Sequence, residues 1–316
     1  MTIGMVTNPR SGGNRKGLGK IREVLAENPQ IHHGEAVTPA EVQAVLAGFA
    51  ARDIDLLIVN GGDGTAQAVL TALYGQATFA RPPVVALLQA GTASMLARDL
   101  GIVGAPPAAL AKIAAWASGT RRGEGDIHER SVLWVQRRGD SAPLCGMFFG
   151  IGAIPQGIDL CHSRMNTRGL RGELMPGLIL ARLLLAVFTG NEKLLPPTDV
   201  EIRRDDAPAQ PVRCLFTLVS TLERLFLGLR PFWGEEYAAL HLTAVRSKPR
   251  YLLRNLPFVL RGRRTARVSP DNGYFSHNAR RITLDFNGRF TLDGELFEAA
   301  SPLTIEAAGP ARFLRI

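Results

Sequence analysis

The run Leu56-Leu57-Ile58-Val59 is apolar without interruption and is followed by Gly61-Gly62-Asp63-Gly64-Thr65, after which Ala66 to Tyr74 takes helical spacing. A strand with no polar alternation is buried on both faces, as in the middle of a parallel sheet. The same order of strand, turn and helix recurs. Ile3-Gly4-Met5-Val6-Thr7 leads through Asn8-Pro9-Arg10-Ser11-Gly12-Gly13 to a helix carrying Leu18, Ile21 and Leu25. Glu35-Ala36-Val37 leads to a helix that Thr38 caps and Pro39 begins. Val84-Val85-Ala86-Leu87-Leu88 leads to Gly91-Thr92, with Thr92 capping a helix that Gly101 ends. Four such units predict a doubly wound, Rossmann-like α/β domain with its binding sites at the C-terminal ends of the strands.

The turns carry the chemistry. Between a buried strand and a helix, Gly61 to Thr65 can aim backbone N–H groups at an anion, and glycine permits close approach. Asp63 would repel phosphates unless a divalent cation bridged them, which points to a nucleotide–Mg²⁺ complex. Asn8 to Gly13 holds the same position after its strand and reads as phosphate-wrapping or as an ordinary loop; Gly91-Thr92 is similar. The spacing from Gly12 to Gly17 matches a P-loop, but Leu18 stands where its lysine belongs, and Gly150-Ile151-Gly152 fails the dinucleotide pattern at Pro155.

Beyond Asp126 the texture changes to short strands and turns: Val132 to Gln136, Val200 to Arg204, Arg213 to Val219, Leu240 to Val245, Ile282 to Phe286 and Phe290 to Leu292. Asp205-Asp206-Ala207-Pro208 and Asn287-Gly288 read as hairpin tips. The expected organisation is α/β plus all-β: residues 1–126 as the α/β domain, 127–302 as a β-sandwich-like second domain, and 303–316 packing back on the first. Asp293-Gly294-Glu295 follows a strand with two acids, able to supply a proton acceptor and a metal or nucleotide ligand, or to be a solvated turn.

Three cysteines at wide spacing argue against a disulfide framework or zinc site and for a reducing cytosol. The segment from Leu174 to Gly190 is interrupted by Pro176 and Arg182, so it is not expected to span a membrane. The 37 Lys and Arg against 28 Asp and Glu give a net charge of +9, which favours an anionic partner without choosing one.

Taken together, Asn8-Pro9-x-Ser11-Gly12, Gly61-Gly62-Asp63-Gly64-Thr65, Gly91-Thr92-Ala93-x-x-Leu96-Ala97-Arg98-x-Leu100-Gly101 and Asp293-Gly294-Glu295 resemble the diacylglycerol kinase and sphingosine kinase lipid-kinase family, and more distantly the NAD kinases. The resemblance implies an ATP cleft between the two domains, with Mg²⁺, and a lipid hydroxyl as acceptor of the γ-phosphoryl group. It implies that Asn8, Ser11, Gly12, Gly61, Gly62, Asp63, Gly64 and Thr65 hold phosphates, with Thr38, Thr92 and Asp126 near the nucleotide. Asp293 would be the general base, and Asp63 and Glu295 would serve the metal. Ala68, Gln89 and Ser94 depart from the family's usual Glu, Pro and Asn, and Glu235-Glu236 only approximates its structural Mg²⁺ turn.

The implied activity is an ATP- and Mg²⁺-dependent lipid kinase acting on a diacylglycerol, sphingoid base or ceramide. The alternatives are an NAD kinase-like enzyme and a catalytically weak nucleotide- or lipid-binding homologue. The expected setting is cytoplasmic, with transient contact to an anionic membrane surface and no nucleic-acid partner; a homodimer is left open. Leu174 to Phe188 reads as an interfacial or a core helix. The basic and apolar mixture from Pro249 to Arg264 suits anionic lipid heads or a solvated face.

Overall fold

In the first part of the chain, four parallel strands pair in the order β2-β1-β3-β4, where β1 is Ile3–Thr7, β2 Ile31–Glu35, β3 Leu56–Gly61 and β4 Val84–Gln89. The structure is a computed structural model that describes residues 1–91, 95–100, 102, 104–119, 125–159, 196–225 and 228–316. It divides into two compact units: Met1–Val132 with Leu144–Gly146 and Ala308–Ile316, and Leu133–Pro143 with Met147–Ala307.

In the first unit every residue of β1 and β3 is buried, as an all-apolar run requires. Ile3 and Met5 face α1 (Asn14–Ala26) and α5 (Pro106–Ala117), packing with Ile21, Leu110 and Ile113. On the opposite face a Cβ at Gly4 would come within 2.9 Å of the Phe49 ring of α2 (Pro39–Ala50), so only glycine lets that helix lie so close. The chain leaves β1 for β2 on one side and returns to β3 on the other. At such a reversal, outside the strands' C-terminal ends, open α/β sheets bind ligands. The last strand, β15 (Leu303–Arg315), enters this unit with Phe313 beside Val85 of β4, parallel.

Two boundaries differ from the expected ones. The second strand ends at Glu35 instead of beginning there, because β2 lies at the edge of the sheet and buries only Ile31 fully, which leaves almost no apolar signal. The helix expected from Ala66 begins at Asp63: α3 spans Asp63–Leu70 and passes into one π turn, Thr71–Gly75. Asp63, Gly64 and Thr65 are thus the first turn of a helix, and only Gly61 and Gly62 form the bend.

The second unit is strand-rich. β7 (Phe148–Gly152), β8 (Thr198–Arg204), β9 (Gln210–Ser220), β10 (Leu240–Arg246), β11 (Tyr274–Ala279), β12 (Arg281–Phe286), β13 (Arg289–Leu292) and β14 (Glu295–Glu298) pair antiparallel. β9 changes partners along its length, pairing with β8 up to Cys214 and with β7 from Phe216. A strand shared in this way joins two sets of strands as in a sandwich. The buried Phe149 and Phe290 and the half-buried Phe297 stack, with centroids 5.0 and 5.4 Å apart.

Asp205 does form a hairpin tip between β8 and β9, at φ 48°, with Oδ1 accepting the N–H of Arg280 and Arg281. Asn287-Gly288 does not: β12 pairs with β8 and β15, β13 with β7 and β14, so this turn only carries the chain between strands that are not partners. The expectations for Thr92, Ser94, Gly101, Cys161 and Leu174 to Phe188 lie outside the described residues. Among the described residues no helix is long and apolar enough to cross a membrane.

Candidate functional site

At the C-terminal ends of β1 and β3 the chain ties its turns together with amide side chains. Asn8 N–H donates to Asn60 O (2.9 Å), and the Nδ2 of Asn14, which is 1% exposed, donates to both Asn8 O (2.8 Å) and Asn60 O (3.0 Å). Asn8 Nδ2 donates to Thr65 Oγ1 (3.1 Å), and Gly62 N–H to Ser11 Oγ (3.2 Å). Gly13 N–H donates to Ala90 O (2.9 Å), which joins the end of β4 to the same cluster. Three turns far apart in sequence are thereby held at one sheet edge.

The glycines here are dictated by contact. A Cβ at Gly61 would stand 2.5 Å from Thr65 Cβ and Oγ1 and one at Gly13 3.0 Å from Ala90 O, whereas one at Gly62 would make only ordinary contact with Gly91 Cα at 3.4 Å. α3 begins at Gly62 with no side-chain cap, and its first-turn N–H groups have no intrahelical acceptor. Asn60 Oδ1 is buried and has no hydrogen-bond partner among the described residues. A cradle lined by backbone and an uncapped helix start fits phosphate oxygens. Asp63, in that first turn, accepts the Leu96 N–H at Oδ1 (3.1 Å). Mg²⁺ is commonly held by one or two carboxylates together with substrate phosphates and water, so Asp63 beside a phosphate cradle fits that ion. Among the described residues no group of three or more His, Cys, Asp or Glu is gathered for a metal.

Thr38 lies just past β2, at the same edge, and caps α2: its Oγ1 accepts the Glu41 N–H (3.3 Å), while Glu41 Oε2 accepts from Val37 N (2.6 Å) and Thr38 N. These bonds, that from Val37 first, hold the Glu41 carboxyl below its ordinary range. His33 Nε2 lies 3.0 Å from Thr7 Oγ1; burial chiefly, and Arg22 in addition, lower its pKa against the pull of Glu35. Asp126 is exposed at the start of β5 (Asp126–Gln136). The preceding Gly125 lies against Trp116 and Ile316, and Ile316 is three residues beyond the Phe313–Val85 pair, toward the same edge. Ala68 is buried in α3; the polar group beside it, Gln67, donates to Thr71 Oγ1 and Cys145 O, within the first unit.

In the second unit, Asp293 and Gly294 are the two loop residues of a hairpin that pairs Leu292 with Glu295. Both have positive φ, 50° and 91°, the type I′ geometry that Asp-Gly favours. The turn is no solvated loop at its first residue. Asp293 is 1% exposed, and its carboxylate accepts the N–H of Phe148 (2.8 Å) and of Met147 (3.0 and 3.1 Å), while its own N–H donates to Phe148 O. Two residues on, Glu295 is exposed. Glu235-Glu236 serves another purpose than a metal turn: Glu236 accepts from Asn278 N (2.8 Å) and contacts His277 Nδ1 (2.6 Å), and these bonds overcome the upward push of burial and bring its pKa down to about 2.

Asn14 and Asn60 belong to this hydrogen-bonded cluster, and motif reading passes over them. The signal for Asn60 was its place as the first polar residue after the apolar run.

Residues 2–121 match the family model of the diacylglycerol kinase catalytic domain. No curated protein matches the chain. Among solved structures it is similar to a diacylglycerol kinase from Bacillus anthracis str. Sterne, at 19% identity and a TM-score of 0.63, covering 100% of this chain and 96% of that one. A second structure from that organism gives 21% identity and a TM-score of 0.67 with the same coverage. Yeast NADH kinase complexed with NADH is more distant, at 11% identity and a TM-score of 0.50, covering 100% of this chain and 83% of that one. These likenesses establish the shared fold, an α/β part with parallel strands followed by a strand-rich part.

Proposed function

We propose that this protein transfers the γ-phosphoryl group of ATP to the hydroxyl of a lipid alcohol of diacylglycerol, sphingoid-base or ceramide type. The observation that carries the reading is the cradle at the β1–β3 reversal, in a stretch that matches a diacylglycerol kinase catalytic domain. Asn8, Ser11, Gly12 and Gly61 to Thr65 bind the phosphates, through backbone N–H groups and the uncapped start of α3. Thr38, Thr92 and Asp126 contact the rest of the nucleotide. Asp63 and Glu295 are the carboxylates assigned to Mg²⁺, which when bound neutralises triphosphate charge.

The lipid oxygen forms the new bond to the γ-phosphorus as the bond to the ADP oxygen breaks, and the hydroxyl proton passes to Asp293. Phosphoryl transfer is mostly positioning and charge neutralisation, with a carboxylate taking the proton late, so an aspartate suffices as the base. The Met147 and Phe148 amides fix the direction of that carboxylate, which is what a positioned acceptor needs.

Incubation with labelled ATP, Mg²⁺, a panel of lipid alcohols and NAD tests the reading. Label on a lipid is expected. Label on NAD would move the assignment to the NAD kinase branch, and ATP binding without transfer to either would make the chain a binding homologue.

A further inference from the structure

The second unit exposes apolar side chains within a stretch rich in positive charge. The short helix α6 (Leu252–Val259) buries Asn255 and Val259 against Val245, Val268 and Tyr274, and turns Leu253, Arg254, Pro257 and Phe258 outward on one face. Leu253 is 54% exposed, Phe258 40% and Tyr251, which precedes the helix, 51%. Residues 246–269 contain eight Lys and Arg and no Asp or Glu, against a net +9 for the whole chain. Among the described residues Arg250, Arg254, Arg261 and Arg263 form no ion pair, and Arg264 has only the exposed Glu235 at 3.7 Å.

This surface is held in place from below. Asn255, 1% exposed, donates through Nδ2 to Arg250 O (3.4 Å) and Arg267 O (3.0 Å), and Tyr274 Oη donates to Arg250 O (2.7 Å). Tyr251 sits at φ 59°, a left-handed conformation that costs a tyrosine free energy. The buried staple keeps Tyr251 there, and its ring lies 5.8 Å from the Arg267 guanidinium. The exposed apolar groups are thus presented on a fixed platform.

We infer that α6 and residues 260–267 form a docking surface for an anionic lipid bilayer. The interfacial zone of a bilayer receives apolar side chains a few ångströms deep while lipid phosphates meet the cations around them. A nucleic-acid backbone would satisfy the arginines but leave Leu253 and Phe258 in water. The inference needs no nucleotide and no phosphoryl transfer, so it stands or falls apart from the kinase reading.

Sedimentation of the full chain with vesicles, without ATP, tests it. The chain should partition onto phosphatidylcholine vesicles mixed with phosphatidylglycerol, weakly onto phosphatidylcholine alone, and less as salt is raised. Each cation near such a surface is worth about a fivefold change in binding, so Arg254→Glu with Arg263→Glu should weaken partitioning roughly 30-fold or more. Leu253→Ser with Phe258→Ser should weaken it about tenfold without moving the unfolding midpoint, since both side chains are already exposed. Lys20→Glu with Lys112→Glu makes the same charge change in the first unit and should leave partitioning nearly intact. Absence of binding to the mixed vesicles would overturn the inference. So would equal losses in the Lys20/Lys112 variant, or no loss in the Leu253/Phe258 variant, which is the behaviour of a generic polyanion site.

Discussion

Around Gly61 the parallel unit offers a ligand mostly backbone: N–H groups at the start of α3, glycines held to contact distance by Thr65 and Ala90, and small amides that lace the turns together. Around Asp293 the strand-rich unit offers one carboxylate, buried in a tight hairpin and anchored on the amides of Met147 and Phe148 at the start of β7. The first arrangement leaves no room for an added Cβ at Gly61 and little at Gly13. The second depends on the chemistry of a single side chain, and the space around its turn is open: nothing lies within 4 Å of a Cβ placed at Gly294.

That contrast predicts opposite responses to the same substitution. Gly61→Ala forces a methyl against Thr65 at 2.5 Å, and overpacking of this kind costs about 1–3 kcal/mol. Nucleotide affinity, read by titration, should fall about tenfold or more as the turn shifts, and Thr65→Gly in the same chain should restore part of the stability as the two changes couple. Gly294→Ala meets only the strain of its positive φ, about 1 kcal/mol, and should leave nucleotide affinity unchanged. Equal loss of affinity in both variants would break the comparison.

A smaller effect separates capping from binding at Thr38. Thr38→Ala removes the cap of α2 and should lower stability by about 1 kcal/mol. The assigned nucleotide contact adds a loss of ATP affinity that Thr38→Ser restores; a shifted melting curve with unaltered affinity would take Thr38 out of the site.

The smallest expected effect belongs to the strand-rich unit. Glu236 has its folded pKa drawn down to about 2 from an ordinary 4.5. Its contribution to stability is complete above the ordinary value and is lost as pH falls from there toward the folded one. Glu236→Gln should flatten the unfolding midpoint across that acid range, and an unchanged slope would mean that the His277 and Asn278 contacts contribute nothing.

The same contrast explains what the sequence disclosed. The strand–turn–helix units were legible because β1, β3 and β4 are buried on both faces and their turns need glycine, so that local composition reports tertiary position. β2 was misplaced because an edge strand with one fully buried residue carries almost no pattern. Asn14 and Asn60 were missed because an asparagine that bridges two loops looks like any polar residue until both loops are in place. Asn287-Gly288 has the composition of a hairpin, but pairing is decided by distant strands, and β13 pairs with β7 and β14. Asp293-Gly294 was legible as a turn. Its burial was not, since the amides that receive the carboxylate lie near residue 147.

The central claim is that the Asp293 carboxylate completes a reaction whose phosphates are held by the Gly61 turn. Asp293→Asn keeps the size of the side chain and one accepting oxygen for the Met147 and Phe148 amides. With ATP and the preferred lipid, turnover should fall about 100-fold or more while ATP affinity stays within about threefold and the protein remains folded. Undiminished turnover would contradict the claim. So would a variant that loses nucleotide binding and stability together, which would leave Asp293 as the anchor of a hairpin and nothing more.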